Sequence, residues 1–197
     1  MQTLKEEIRN AIVAAAIAEF REKGYRSASM RAIAEAAGIT VGNVYRYFES
    51  KDALFRTIME PVSRQLVNMV YADRYLESEG KLLDMDTVME SIMSLCKNHT
   101  AEMHILVYKS EGSEFEGVRR RLTDMISERL SEPDGYSEKW AVTLRNNPDM
   151  SRVLSAAFVE GVFEILKQNQ NDINTLEGNI RCLILFFFQD LYPGLAH

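Results

Sequence analysis

Side chains able to do covalent chemistry are scarce in this chain. Its 197 residues include three histidines, two cysteines and one tryptophan. No GxSxG, HExxH or CxxC motif occurs, and no glycine-rich phosphate loop. His99 and His104 lie on different faces of any helix that holds both, which argues against a two-histidine metal site. An enzyme is therefore not expected, nor a metal or a cofactor. Cys96 and Cys182 are isolated thiols, consistent with a reducing cytosol and no disulfide. The apolar run Cys182–Phe188 is seven residues, against about 20 for a bilayer span. The N-terminus reads as a charged amphipathic helix and not as a signal peptide. No membrane partner is expected, and the expected location is cytoplasmic.

An overall basic charge is also missing. The net charge is −6, at first sight wrong for a binder of nucleic acid. The charge is unevenly placed, however. Residues 1–51 hold eight Lys/Arg and six Asp/Glu, a balance of +2. The remainder holds fifteen and twenty-three, a balance of −8. A mildly basic end on an acidic body would approach phosphate by that end alone.

That basic end contains the most informative stretch, Ser29–Lys51. Met30, Ile33, Ala34 and Ala37 fall on one face of a short helix. Gly38 supplies a left-handed stop, and Ser29 and Thr40 are N-cap residues. A second helix, about Val41 to Phe48, would bury Val44 and Phe48. Its outward face would be Val41, Gly42, Asn43, Tyr45, Arg46 and Tyr47. That face carries no carboxylate and is rich in groups that hydrogen-bond or stack. This is the pattern of a helix-turn-helix whose second helix enters a DNA major groove. Asn43 can pair with adenine. Arg46 can contact DNA or pair with Glu49. Ser29 and Thr40 can hold phosphates as well as cap helices.

The run Phe20-x3-Gly24-Tyr25, Ser29-Met30-Arg31-x-Ile33-Ala34 and Ala37-Gly38-Ile39-Thr40-x-Gly42-x-Val44-Tyr45-x-Tyr47-Phe48-x-Ser50-Lys51-x-x-Leu54 resembles the N-terminal domain of the TetR family of bacterial repressors. The resemblance covers roughly the first 55 residues. It implies that Tyr45 and Tyr47 contact the DNA backbone or a thymine methyl, with internal packing of Tyr45 as the alternative. It implies that Lys51 contacts a phosphate, that Arg31 touches a base or phosphate, and that Gly42 and Asn43 touch base edges. Val41 departs from the common pattern, being apolar where many members are polar.

The expected fold class is all-α, with a three-helix DNA-binding domain (1–50) and a helical effector-binding and dimerisation domain (51–197). A capping box at Thr3–Glu6 opens the first helix, which buries Ile8, Ile12, Ala15, Ala16 and Phe20 and ends at Gly24. Ser50 caps a long fourth helix that Pro61 should kink or restart. Thr100, Ser113–Glu116 and Asn174–Glu177 read as further helix starts. Pro133-Asp-Gly135 reads as a loop. A short helix carries Trp140.

The last two helices expose too much apolar surface for one chain. A second subunit is expected against Ala157, Phe158, Gly161, Ile165, Leu183, Ile184, Phe187 and Phe188. The candidate effector pocket is Met89, Met93, Cys96, His104, Tyr108, Phe115 and Phe158, each also readable as ordinary core. Methionine there favours a hydrophobic effector. The expected function is a ligand-responsive repressor, binding a near-palindromic operator as a dimer. An activator of the same fold, or a helical interaction module without operator binding, is the alternative.

Overall fold

The computed structural model describes residues 2–71, 85–131, 138–169 and 172–188. All regular structure among them is helical: α1 (Gln2–Ser27, broken at Gly24), α2 (Met30–Ala36), α3 (Val41–Tyr47), α4 (Lys51–Val70), α5 (Met85–Asn98), α6 (Thr100–Tyr108), α7 (Val118–Leu130), α8 (Glu138–Arg145), α9 (Pro148–Gln168) and α10 (Ile173–Phe188). The chain forms two compact units, one of residues 1–64 and 99–118, the other of residues 65–98 and 119–197. The first unit thus takes in α6 and the first fourteen residues of α4 in addition to 1–50. The reason is visible in its packing: α6 lies along α1.

In the first unit α1 buries Ile12, Ala16 and Phe20, one residue per turn. Helical backbone stops at Gly24, whose φ of 74° and ψ of 163° place it where essentially only glycine sits. Tyr25 then donates its amide to the Lys109 carbonyl at 2.8 Å. Phe20, Tyr25, Phe55 and Phe115 form a ring cluster, with Phe55 at 4.7 to 5.9 Å from the other three. The Tyr25 hydroxyl donates to Asp52. Burial first, and then that carboxylate, push its phenol up to about 12. Lys51 completes the joint. Its ammonium donates to the carbonyls of Tyr25 (2.8 Å), Arg26 (3.3 Å) and Ala28 (3.1 Å) and lies over the Tyr25 ring. The start of α4 is thereby tied to the turn between α1 and α2.

The segment after α6 also grips this unit. Arg26 pairs with Glu111 at 2.9 Å and Arg56 with Glu114 at 2.5 Å. The Ser113 capping box expected there does not open a helix. Gly112 and Gly117 have φ of 84° and 76°, and the two left-handed residues enclose a turn. In it Ser113 Oγ accepts from the Phe115 amide and Glu116 accepts from the Gly112 amide. The helix starts one residue later, at Val118.

The second unit is built on a cluster of Met89, Ile92, Met93 and Cys96 from α5 against Leu176, Ile180 and Ile184 from α10. Phe158, Val162, Ile165 and Leu166 of α9 pack on it. A Cβ at Gly161 would stand 3.2 Å from two Leu183 methyls, so α9 and α10 meet closely there. Between α7 and α9 runs a polar seam. Ser151, fully buried, donates to the Ser127 carbonyl at 2.9 Å, and Ser155 donates to the Ser151 carbonyl at 2.8 Å.

Three other expectations need correction. The fourth helix runs unbroken through Pro61. The missing amide costs one hydrogen bond, and α4's buried face of Leu54, Phe55, Ile58, Met59 and Val62 holds the helix on both sides of it. Thr100 is the first residue of α6, after His99 at the N-cap, where no side chain caps. In α10 the cap is Asp172, which accepts from the Thr175 amide and hydroxyl, and not Asn174. The Thr3 side chain, Pro133–Gly135 and the Trp140 side chain lie outside the described residues.

Gly24→Ala is expected to lower stability by about 1–3 kcal/mol in urea unfolding, the cost of forcing a Cβ into this backbone geometry. Lys51→Met is expected to cost about 1–3 kcal/mol, because charged hydrogen bonds are lost together. Unchanged unfolding midpoints would contradict both.

Candidate nucleic-acid interface

The site begins with α3, a helix of seven residues, too short to persist alone in water. Its conformation is imposed at both ends and from beneath. Before it, Gly38 takes φ +70° and its amide bonds Glu35 O at 3.1 Å, while Ile39 bonds Ala34 O at 3.0 Å. This pair of bonds closes α2 in a Schellman motif. Ser29 caps α2 through the Ala32 amide at 3.1 Å, and Thr40 caps α3 through the Asn43 amide at 3.3 Å. Beneath, Val44 and Phe48 are 0% and 5% exposed.

With that face fixed inward, the predicted face turns outward. Gly42, Tyr45 and Arg46 are exposed, and Val41, Asn43 and Tyr47 are half-buried. Tyr45 is 49% exposed, so its internal-packing alternative fails. Nothing stands within 4 Å of a Cβ built on Gly42, and its φ is not positive. Neither backbone conformation nor packing within the unit therefore calls for glycine there. Arg31 of α2 is exposed.

The cations of this unit divide by partner. Lys23, Arg26, Arg56 and Arg64 each pair with a carboxylate, at 2.5 to 3.1 Å. Among the described residues Lys5, Arg9, Arg21, Arg31, Arg46 and Lys109 have no carboxylate within ion-pair distance, and Arg46 does not pair with Glu49. Arg9, Arg31 and Arg46 lie on α1, α2 and α3. Two predicted phosphate-binding groups are already engaged. The three ammonium hydrogens of Lys51 are matched by three carbonyls. The Ser29 amide donates to Glu19 at 3.3 Å. Thr40 keeps its hydroxyl proton available, since its oxygen only accepts in the cap.

The predicted pocket residues are divided between the two units. Met89, Met93 and Cys96 are core of the second unit, with Phe158 packed on them. Burial pushes the Cys96 thiol up to about 11. His104, Tyr108 and Phe115 belong to the first unit. There His104 lies 5.3 Å from the Tyr108 ring, and burial, then Arg21 and Lys109, lower its pKa. Phe115 packs on Phe55.

Of the predicted subunit-interface residues, Ala157 is exposed, while Phe158, Gly161, Ile165, Leu183 and Phe187 are half-buried. Ile184 is 4% exposed and packs in its own core, so it does not face a second subunit. The Phe188 side chain lies outside the described residues. Sequence reasoning missed Phe186, 77% exposed beside exposed Cys182 and Gly178 on one stripe of α10, with Val153 exposed on α9. The signal was present in the all-round apolar run, but periodicity cannot rank residues in such a run. It also missed Arg9, whose guanidinium lies 5.4 Å over the Phe48 ring.

Residues 12–58 match the description of bacterial regulatory proteins, tetR family. The chain is 36% identical over 96 residues to the HTH-type transcriptional regulator UidR of Escherichia coli K12, covering 48% of this chain and 46% of UidR. It is 30% identical over 90 residues to the HTH-type transcriptional repressor Rv3405c of Mycobacterium tuberculosis, covering 42% and 48%. The chain thus spans about half the length of the curated relatives it matches. Over nearly its whole length it shares a fold with NalD, the secondary repressor of the MexAB-OprM multidrug efflux pump in Pseudomonas aeruginosa. That similarity has a TM-score of 0.59 at 23% identity and covers 95% and 97% of the two chains. A TetR-like transcriptional regulator from Rhodococcus is similar at a TM-score of 0.58 and 16% identity, over 92% and 94%. Residues 12–58, which hold the helix-turn-helix, are thus similar to the tetR family of bacterial regulatory proteins.

Proposed function

We propose that this chain is a transcriptional repressor that binds a near-palindromic DNA operator as a homodimer and leaves it when a small molecule binds. One observation carries the reading. The outward face of α3 offers an amide, two phenols, a guanidinium and an open glycine, and no carboxylate. Such a face fits a major groove, where Asn43 can pair with adenine and an arginine with guanine. Tyr45, Tyr47 and Thr40 can hold the flanking phosphates, and Val41 can meet a thymine methyl. Lys51 supports the reading differently from expectation: it ties the start of α4 to the turn between α1 and α2.

A single module of this size covers too little DNA for tight specific binding, so two copies are required. Exposed Val153, Ala157, Cys182 and Phe186, with half-buried Leu183 and Phe187 beside them, supply an apolar face for the second copy. The effector belongs to the second unit, whose methionine-rich core suits a hydrophobic molecule. The chain crosses between the units three times, at 64/65, 98/99 and 118/119. A ligand that shifts α5 or α7 therefore acts on the segment 99–118. It can release DNA only by binding the two states with different affinity.

A gel shift with the region upstream of the encoding gene tests the reading. Tyr47→Ala is expected to weaken binding about tenfold, equivalent to about 1.4 kcal/mol. Gly42→Ala is expected to stabilise the free protein by about 0.5–1 kcal/mol while weakening the complex, a combination that ordinary surface positions do not give. No shift with the parent protein at moderate salt would sink the proposal. In sedimentation, Phe186→Glu is expected to convert a dimer into a helical monomer; an unaltered dimer would remove this face from the subunit contact.

A further inference from the structure

Arg9 has no part in the base-reading face of α3. It lies on α1, outside the helix-turn-helix, and is exposed. Its guanidinium lies over the ring of Phe48, 5.4 Å from the centroid. Phe48 is the C-cap of α3, and its ring is held by burial at 5% exposure. The ring therefore serves as a fixed platform against the end of α3. A guanidinium on an aromatic face keeps its N–H edge free, and that edge matches two oxygens of one phosphate. The ring also limits the rotamers of the long side chain, so less freedom is lost on binding.

The placement relative to DNA follows from size. A helix of seven residues is about 10 Å long, and the major groove is about 12 Å wide. Both ends of α3 then stand close to a phosphate strand when the helix is seated. Thr40 marks one end and Phe48 the other. Four other cations of the unit, Lys23, Arg26, Arg56 and Arg64, are neutralised by carboxylates. Arg9, like Lys5, Arg21 and Lys109, has none among the described residues. The Phe48 ring is what sets its charge beside the end of α3.

We infer that Arg9, carried on the Phe48 ring, is a backbone-phosphate contact that flanks the C-terminal end of the recognition helix. The inference rests on the operator-binding reading and adds to it a contact from α1. It is a positioning contact, without base readout. Its loss should weaken binding to all duplexes alike.

The test is the salt dependence of binding, measured by fluorescence anisotropy with two labelled duplexes, the upstream region of the encoding gene and a scrambled sequence of equal length. Arg9→Gln and Arg9→Lys are compared with the parent protein, and thermal melts report folding. Arg9→Gln is expected to make the log affinity against log salt slope shallower by about 0.9 per contact, hence about 1.8 for a dimer. The loss should be equal on both duplexes, and Arg9→Lys should restore the slope. An unchanged slope in Arg9→Gln overturns the inference. So does a weaker complex with an unchanged slope and a lowered melting temperature, because Arg9 then only braces Phe48. Failure of the parent protein to bind either duplex overturns the operator-binding reading itself, and this contact with it.

Discussion

A seven-residue helix cannot hold its own shape in water, and the face proposed to read DNA bases stands on one such helix. Its anchoring is the constraint from which the rest follows. Val44 and Phe48 fix which face is inward. The Schellman closure at Gly38 and the Thr40 cap fix where it starts. Lys51 then ties the next helix to the turn after α1 through three carbonyls. Each device is modest, about 1 kcal/mol for a neutral hydrogen bond or cap. Together they leave α3 one orientation, so its outward side chains are preorganised before any groove is met.

The unit that presents α3 is not a contiguous piece of chain. Residues 99–118 belong with residues 1–64, through the Tyr25–Lys109 backbone bond and the pairs Arg26–Glu111 and Arg56–Glu114. The second unit is therefore joined to the reading end at three covalent points, each at or near a helix end or within α4. Exposed ion pairs add little stability singly. Their value here is registry: they fix which turn of the segment sits against α1 and α4.

The helix-turn-helix was legible because its determinants are local. Caps, a left-handed glycine and an apolar residue at each turn are written within four residues of where they act. The outward face followed once the inward face was known. Motifs that depend on their surroundings were misread. Ser113–Glu116 has the spelling of a capping box, but Gly112 and Gly117 on either side make it a turn. Pro61 breaks a helix in isolation, and the packed face of α4 overrides it. Lys51 looked like a free cation because its three carbonyl partners lie more than twenty residues away. The pocket was illegible for a deeper reason: a methionine in a core and a methionine against a ligand obey the same periodicity. Only the placement of His104, Tyr108 and Phe115 in the other unit separated them from Met89, Met93 and Cys96.

On the proposed function, the outward face of α3 sits in a major groove, in two symmetric copies. Methylation protection of guanine N7 reports that groove directly. The measurement is made on a duplex selected from a random library by the protein itself. The expected result is two protected patches, related by two-fold symmetry and centred an integral number of helical turns apart, about 34–36 Å per turn. No enrichment from the library, or N7 atoms that methylate as readily with protein as without it, would contradict the claim.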